Sequence, residues 1–303
     1  MDRLTVKRIA ALFINSAIFL AIASFMPAQA KLGYIDKEGN LVIPAKYDEA
    51  NSFHEGLAQV KIDGKVGYIN RSGELVLKPD CTICCDFSEG LAAVKVGNKW
   101  GYIDKSGNFA IPPKFERCFD FKDGLAAVIW QEKYGFIDKQ GNFVIPAHFH
   151  STGPFSNGRA LFMEKDKFGF MDKTGKTVIP PTLVDASDFS EGLARVMPAG
   201  KSKYGYIGLQ GNLVIPAAYE DCDGFSEGLA AVKRAGRWTY IDAKGKSPSA
   251  KTYHEAKEFC EGLAPVQFGT LWGYIDKNQN WKIKPAFKEA YAMSEGMAPV
   301  SPN

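Results

Sequence analysis

Trp100-Gly101-Tyr102-Ile103-Asp104-Lys105-Ser106-Gly107-Asn108-Phe109-Ala110-Ile111-Pro112 decides the fold, because from Lys31 onward the chain consists of copies of this stretch and the connections between them. Its first glycine recurs as Gly33, Gly67, Gly101, Gly135, Gly169, Gly205 and Gly273, with Thr239 in the remaining slot. The spacing is 34 residues throughout, except for one interval of 36. Eight copies at one period mark a repeat architecture. Positions within a copy are counted from this glycine, so that Tyr102 is +1 and Trp100 is −1.

Position +1 is aromatic in every copy and −1 in most, and +2 is isoleucine except at Met171. Aromatic and β-branched residues in so short a run predict a strand. A glycine between two large rings marks close approach of another backbone. Asp-Lys-x-Gly-Asn then predicts a tight turn, with the aspartate bonding to backbone just ahead of it. A second strand such as Phe143-Val144-Ile145 returns antiparallel. It is expected to stop at Pro146, which has no N–H for a ladder. After a connection comes Phe-x-Glu-Gly-Leu-Ala, whose glycine stands in every copy from Gly56 to Gly296. Such regularity predicts a backbone conformation that glycine adopts at least cost. Leu-Ala-x-Val, as in Leu91–Val96, supplies a third strand.

The expected fold is therefore all-β, with eight three-stranded antiparallel meanders, each followed by a long connection. Helical-hairpin repeats share the period but are excluded. Each unit is broken by glycine and proline, and no window shows apolar residues at i, i+3, i+4 and i+7 over helix length. Counting Leu-Ala-x-Val as the leading strand of a meander, residues 31–303 begin at a second strand, near Gly33, and end just after a leading strand, Met297–Val300. A propeller-like closed toroid would join these ends in one shared blade and remove two exposed edges. The alternative, an open β-solenoid, would need caps, and neither end reads as one. The toroid is the expected arrangement.

The two linked signatures, W-G-Y-I-D-K-x-G-N-x-V-I-P and F-x-E-G-L-A-x-V, resemble the bacterial WG-repeat, or KWG-repeat, family across residues 31–303. The resemblance implies an all-β repeat module of exported or multidomain bacterial proteins, and no catalytic residues. Departures are local: Thr239 for the glycine, Gly208 for the aspartate, Arg159 for the leucine, and Ser247-Pro248-Ser249 in place of an apolar strand.

Most residues capable of chemistry fall in register with the repeat. The aspartates at +3, such as Asp36, Asp104 and Asp138, are expected to cap turns and not to bind cations, since Asn70 and Gly208 share their slot. The glutamates at +22 alternate with Asp123 and Asn157, which suits a hydrogen-bonding role better than acid–base work. Cys84, Cys118 and Cys222 occupy a slot otherwise filled by alanine or threonine and read as small buried residues. Cys81, Cys84 and Cys85 lack a second ligand pair at zinc-finger spacing. The aromatics at −1 and +1 are expected in the core between copies, sugar stacking being the alternative. No nucleophile, base and orienter assemble, so no catalytic, metal or cofactor residues are assigned and none of these groups is expected. The stretch His148–Lys167 departs most from the period, and His148, His150 and Arg159 in it are the candidate partner-binding residues.

Residues 1–30 read as a signal peptide. Arg3, Lys7 and Arg8 precede an apolar run from Ile9 to Phe25, and Ala28-Gln29-Ala30 offers a cleavage site. An uncleaved membrane anchor is the alternative. The net charge of +3, three basic residues of which lie in this leader, gives no footprint for nucleic acid or for an anionic membrane surface. The expectation is an exported, non-enzymatic scaffold in the periplasm, cell envelope or extracellular space. It would bind a protein, a peptide or an envelope polymer. A carbohydrate-binding or enzymatic site in one irregular copy and a purely structural envelope component are the alternatives.

Overall fold

Arg117–Lys122, Leu125–Trp130, Lys133–Ile137 and Phe143–Phe149 form a four-stranded antiparallel sheet in chain order. The computed structural model describes residues 31–302, and this sheet recurs along them; the predicted leader lies outside the described residues. Each sheet takes the end of one copy and the start of the next. Tyr102 and Phe121 show how neighbouring sheets hold together: both are fully buried, with ring centroids 4.9 Å apart. The same pairing recurs as Tyr34 with Phe53 at 5.0 Å and Phe136 with Phe155 at 4.7 Å. A pair of this kind contributes ~0.5–1.5 kcal/mol beyond its buried area.

Five of the seven sheets have four strands where the sequence predicts three. The additional strand lies in the supposed connection, where Cys118 stands opposite Val128 and Phe121 opposite Ala126. Three steps on one strand against two on its partner make a β-bulge. The bulge turns Cys118 and Phe121 to the same buried side although they stand three positions apart. The alternation that announces a strand is thereby broken.

The proline expectation is also corrected. Phe109–Phe115 runs through Pro112 and Pro113. It is the last strand of its sheet, where a missing donor is tolerated. Ile111 stands opposite Tyr102 and Phe115 opposite Trp100, so the excess residues arch over Gly101. A Cβ on Gly101 would lie 2.4 Å from the Ile111 carbonyl oxygen and 2.7 Å from the Pro113 nitrogen. Thr239 places a side chain here, in the copy where Ser247-Pro248-Ser249 also replaces the apolar strand. Its sheet, Asp221–Cys222, Leu229–Arg234 and Arg237–Asp242, has no fourth strand. The Thr239 hydroxyl instead donates to the Lys251 carbonyl at 3.0 Å, and Trp238 and Tyr253 keep a single backbone bridge.

Glu89 and Gly90 link the first two strands of a sheet with φ of 52° and 89°. Positive φ at both central residues is the type I′ hairpin, whose twist matches the strands it joins. Finally, Ala298–Pro302 pairs with Leu32–Ile35, Gly33 lying opposite Val300 and Ile35 opposite Ala298. One sheet is thus assembled from both ends of the described chain.

Candidate binding surface

The repeated carboxylates are occupied by backbone. Asp36 accepts from the N–H groups of Glu38 at 3.0 Å and Asn40 at 2.8 Å, and Asp242 repeats this with Lys244 and Lys246 at 2.9 Å each. Hydrogen bonds from the Asn40 side chain and backbone hold the Asp36 carboxyl below its usual range, and those from Lys246 and Lys244 do so for Asp242. Asn70 makes the same turn with a neutral side chain, accepting from Ser72 at 3.0 Å.

The +22 side chains link each copy to the next. The Gly90 N–H donates to Glu55 at 3.0 Å, Gly124 to Glu89 at 3.1 Å, Gly158 to Asp123 at 2.7 Å and Gly192 to Asn157 at 2.7 Å. The series continues with Gly228 to Glu191 at 2.9 Å, Gly262 to Glu227 at 3.0 Å and Gly296 to Glu261 at 2.8 Å. It returns to the first copy with Gly56 to Glu295 at 2.8 Å. A cation at +4, two copies further on, joins most of these carboxyl groups. Lys105 lies 3.1 Å from the Glu55 carboxylate and donates to its carbonyl at 2.9 Å, and Lys139 reaches Glu89 at 3.3 Å and 2.9 Å. Lys37 pairs with Glu261 and Lys277 with Glu227, each at 3.1 Å, and Arg71 with Glu295 at 2.8 Å.

The first strands of neighbouring sheets pack against one another and carry a set of half-buried acids that the sequence reading did not single out. Asp188 is pushed up to about 7 by burial. Asp223 is pushed up to about 6 by burial and by Asp221, against the pull of Arg195. Burial also raises Asp86 and Asp120. Asp86, Asp120 and Asp188 fall inside the bulge of the unrecognised strand and Asp223 just past the end of its own, so alternation in the sequence assigns them to no face. Arg195 was missed as well, although its slot otherwise holds Gln59, alanine, leucine or proline. It lies 3.6 Å from Asp221, donates to the Cys222 carbonyl at 3.2 Å and covers the Tyr204 ring at 4.8 Å.

His148, His150 and Arg159 are not brought together. His148 and His150 are exposed at the end of an outer strand, where the Lys133 ammonium lies 3.0 Å from His150 Nδ1. His150 occupies the slot in which Glu116 accepts from the Gln131 N–H at 2.9 Å and His254 from the Gly269 N–H at 3.2 Å. Arg159 sits at the opposite end of the strands, beside the Asn157–Gly158 turn, and donates to the Gly158 carbonyl at 3.1 Å. The aromatics at +1 are fully buried or nearly so and present no face to a sugar. Cys118 and Cys222 are buried free thiols, whereas Cys84 is disulfide-bonded to Cys81, their Cα atoms 6.2 Å apart. A depression of about 520 Å³, open to solvent, lies among Lys37, Glu38, Glu261, Leu263, Asp276 and Lys282.

The model for the WG containing repeat matches residues 33–65, 67–100, 100–129, 134–168, 168–201, 204–238, 238–269 and 272–301. The chain belongs to the WG-repeat family. No curated protein matches it. Among solved structures, Hsv2p from Kluyveromyces lactis is similar with a TM-score of 0.50 and 9% identity, over 75% of this chain and 92% of that one. BamB from Moraxella catarrhalis gives 0.46 and 10%, over 90% and 96%. Virginiamycin B lyase from Staphylococcus aureus gives 0.44 and 14%, over 89% and 98%. At 9% identity the likeness of the WG-repeat chain to Hsv2p is one of fold alone.

Proposed function

We propose that this WG-repeat protein is an exported, non-enzymatic scaffold, closed into a propeller-like toroid, that binds a protein, a peptide or an envelope polymer along its outer strands. One observation carries the binding reading. The outer strands hold apolar side chains in water: Leu41, Val42, Phe109, Phe143, Val144, Leu213 and Val214 are each 40% to 50% exposed. Apolar surface kept in water at regular positions marks an interaction site. Trp130 extends it, edge to face with Phe143 at 6.5 Å. His148 lies on the same strand and His150 follows it, so both belong to this surface.

The non-enzymatic part is supported by the use of the repeated carboxylates as caps and links. Closure is supported by the bonds from the eighth copy to the first, and export by the pattern of residues 1–30. The test is capture from an envelope extract on immobilised protein. A component retained by the wild type is expected to be lost from a Trp130→Ser, Phe143→Ser double variant with an unchanged circular dichroism spectrum. Equal retention by the two proteins would overturn the assignment.

A further inference from the structure

The links between copies break in two places, and the two breaks differ. Position +4 is a cation in every copy except the sixth and seventh, where Leu209 and Ala243 stand. Lys105 meets Glu55, Lys139 meets Glu89 and Lys277 meets Glu227, each from two copies further on. By the same relation Leu209 faces Asn157, so a neutral residue meets a neutral residue. Ala243 faces Glu191, which is a carboxylate. Glu191 keeps its bond from the Gly228 N–H at 2.9 Å, but makes no ion pair among the described residues. Both Glu191 and Ala243 are exposed.

We propose that Glu191 is an open receptor for a primary ammonium group, supplied by a lysine side chain of a partner protein. The protein itself shows how such a receptor is filled. At Glu55 and Glu89 one lysine ammonium spans the carboxylate and the backbone carbonyl of the same residue. An ammonium has donors free to turn toward both oxygens. The guanidinium of Arg71 uses both its contacts on one carboxylate oxygen of Glu295 and makes none to the carbonyl. At Glu191 the carboxylate is already fixed by Gly228, so an incoming ammonium has little to reorganise. The biological use of the receptor rests on the scaffold reading above, but its existence does not, and it is tested without a partner.

The test is nuclear magnetic resonance on ¹⁵N-labelled protein, purified after expression of the full sequence and titrated with butylammonium chloride. Tetramethylammonium chloride at equal ionic strength is the control. The Gly228 amide is expected to shift with a midpoint on the order of 100 mM, the scale of a solvent-exposed ion pair. Gly90, Gly124 and Gly262, whose carboxylates have their own lysines, are expected to move much less. The Gly228 response should vanish in Glu191→Gln, which keeps an acceptor for the amide as Asn157 does. It should also vanish in Ala243→Lys, which fills the receptor from within. Equal shifts at all four glycines, an equal response to tetramethylammonium, or a response that survives Ala243→Lys would overturn the proposal. A lysine-containing tripeptide saturating below putrescine supports a protein side chain as the ligand; the reverse order would overturn that part.

Discussion

Gly90 and Gly101 are both glycines in a repeated slot, yet they are required for different reasons. Gly90 has a φ of 89° and open space where a Cβ would stand, so Gly90→Ala is penalised by backbone conformation alone. A loss of about 1–2 kcal/mol in urea unfolding is expected. Gly101→Ala drives a Cβ to 2.4 Å from a backbone oxygen that cannot turn aside. It should cost more than about 2 kcal/mol and release the outer strand to amide exchange. Asp188 sets a pH-dependent contribution of the opposite kind from the turn caps. Its folded pKa of about 7 exceeds the unfolded value of ~3.9. Between the two values the native state keeps a proton that the unfolded state has lost. The stabilising contribution is therefore complete below about pH 4 and lost as pH rises through about 7. Asp36 and Asp242, held low, contribute above their unfolded pKa and lose that contribution in acid. Asp188→Asn should gain in melting temperature over the wild type between about pH 4.5 and about pH 8. A pH-independent difference would show that Asp188 does not titrate in this range.

At the scale of the element, a strand was legible wherever its side chains alternate and hidden wherever a bulge interrupts them. Tyr102 and its neighbours, the Asp104 turn and the glycine at Gly101 follow directly from residue type. The Arg117–Lys122 strand does not, because its buried Cys118 and Phe121 are out of step. The half-buried acids at its bulge were lost with it. Periodicity also conceals compensation between copies, as the seventh copy shows. The turn glycine of one copy leaves room for the isoleucine of the copy before: a Cβ on Gly73 would meet Ile43, one on Gly175 Ile145 and one on Gly245 Ile215, at 3.1 to 3.3 Å. The seventh copy has Ser249 for that isoleucine, and the eighth has Gln279 for the glycine, with its side chain buried and accepting from the Tyr253 hydroxyl at 3.4 Å. The larger residue has changed sides. Ser249→Ile alone should therefore overpack against Gln279, and Gln279→Gly alone should leave a void. The double variant should recover about 1–2 kcal/mol relative to the sum of the two, measured as the coupling in a double-mutant cycle. Additivity would mean that the two residues do not share the site.

For the whole molecule, the pairing of Leu32–Ile35 with Ala298–Pro302 has the form of the hairpin between leading and second strands elsewhere. Leading and second strands elsewhere join through short turns, as Val96 pairs with Lys99 across Gly97-Asn98. In the shared sheet Gly33 pairs with Val300 in the same antiparallel sense, which brings Lys31 and the end of the described chain to the position of such a turn. The bond from Gly56 to Glu295 then repeats at this junction what every other junction does within continuous chain, and that from Arg71 to Glu295 what most of them do. If the copies are energetically equivalent neighbours in a closed array, the location of the break is immaterial. A circular permutant that joins Asn303 to Lys31 through a short glycine linker and opens at Gly97-Asn98 should unfold cooperatively, within about 1 kcal/mol of the parent. Deleting Ala298–Pro302 is a different matter, because it removes one whole strand from between Trp281–Ala290 and Leu32–Ile35. It strips both of a ladder and exposes two edges, so loss of the cooperative transition and self-association by light scattering are expected. A permutant that fails to fold, together with a deletion that unfolds like the parent, would show that the junction between the ends bears no load and that the array is held together from one side only.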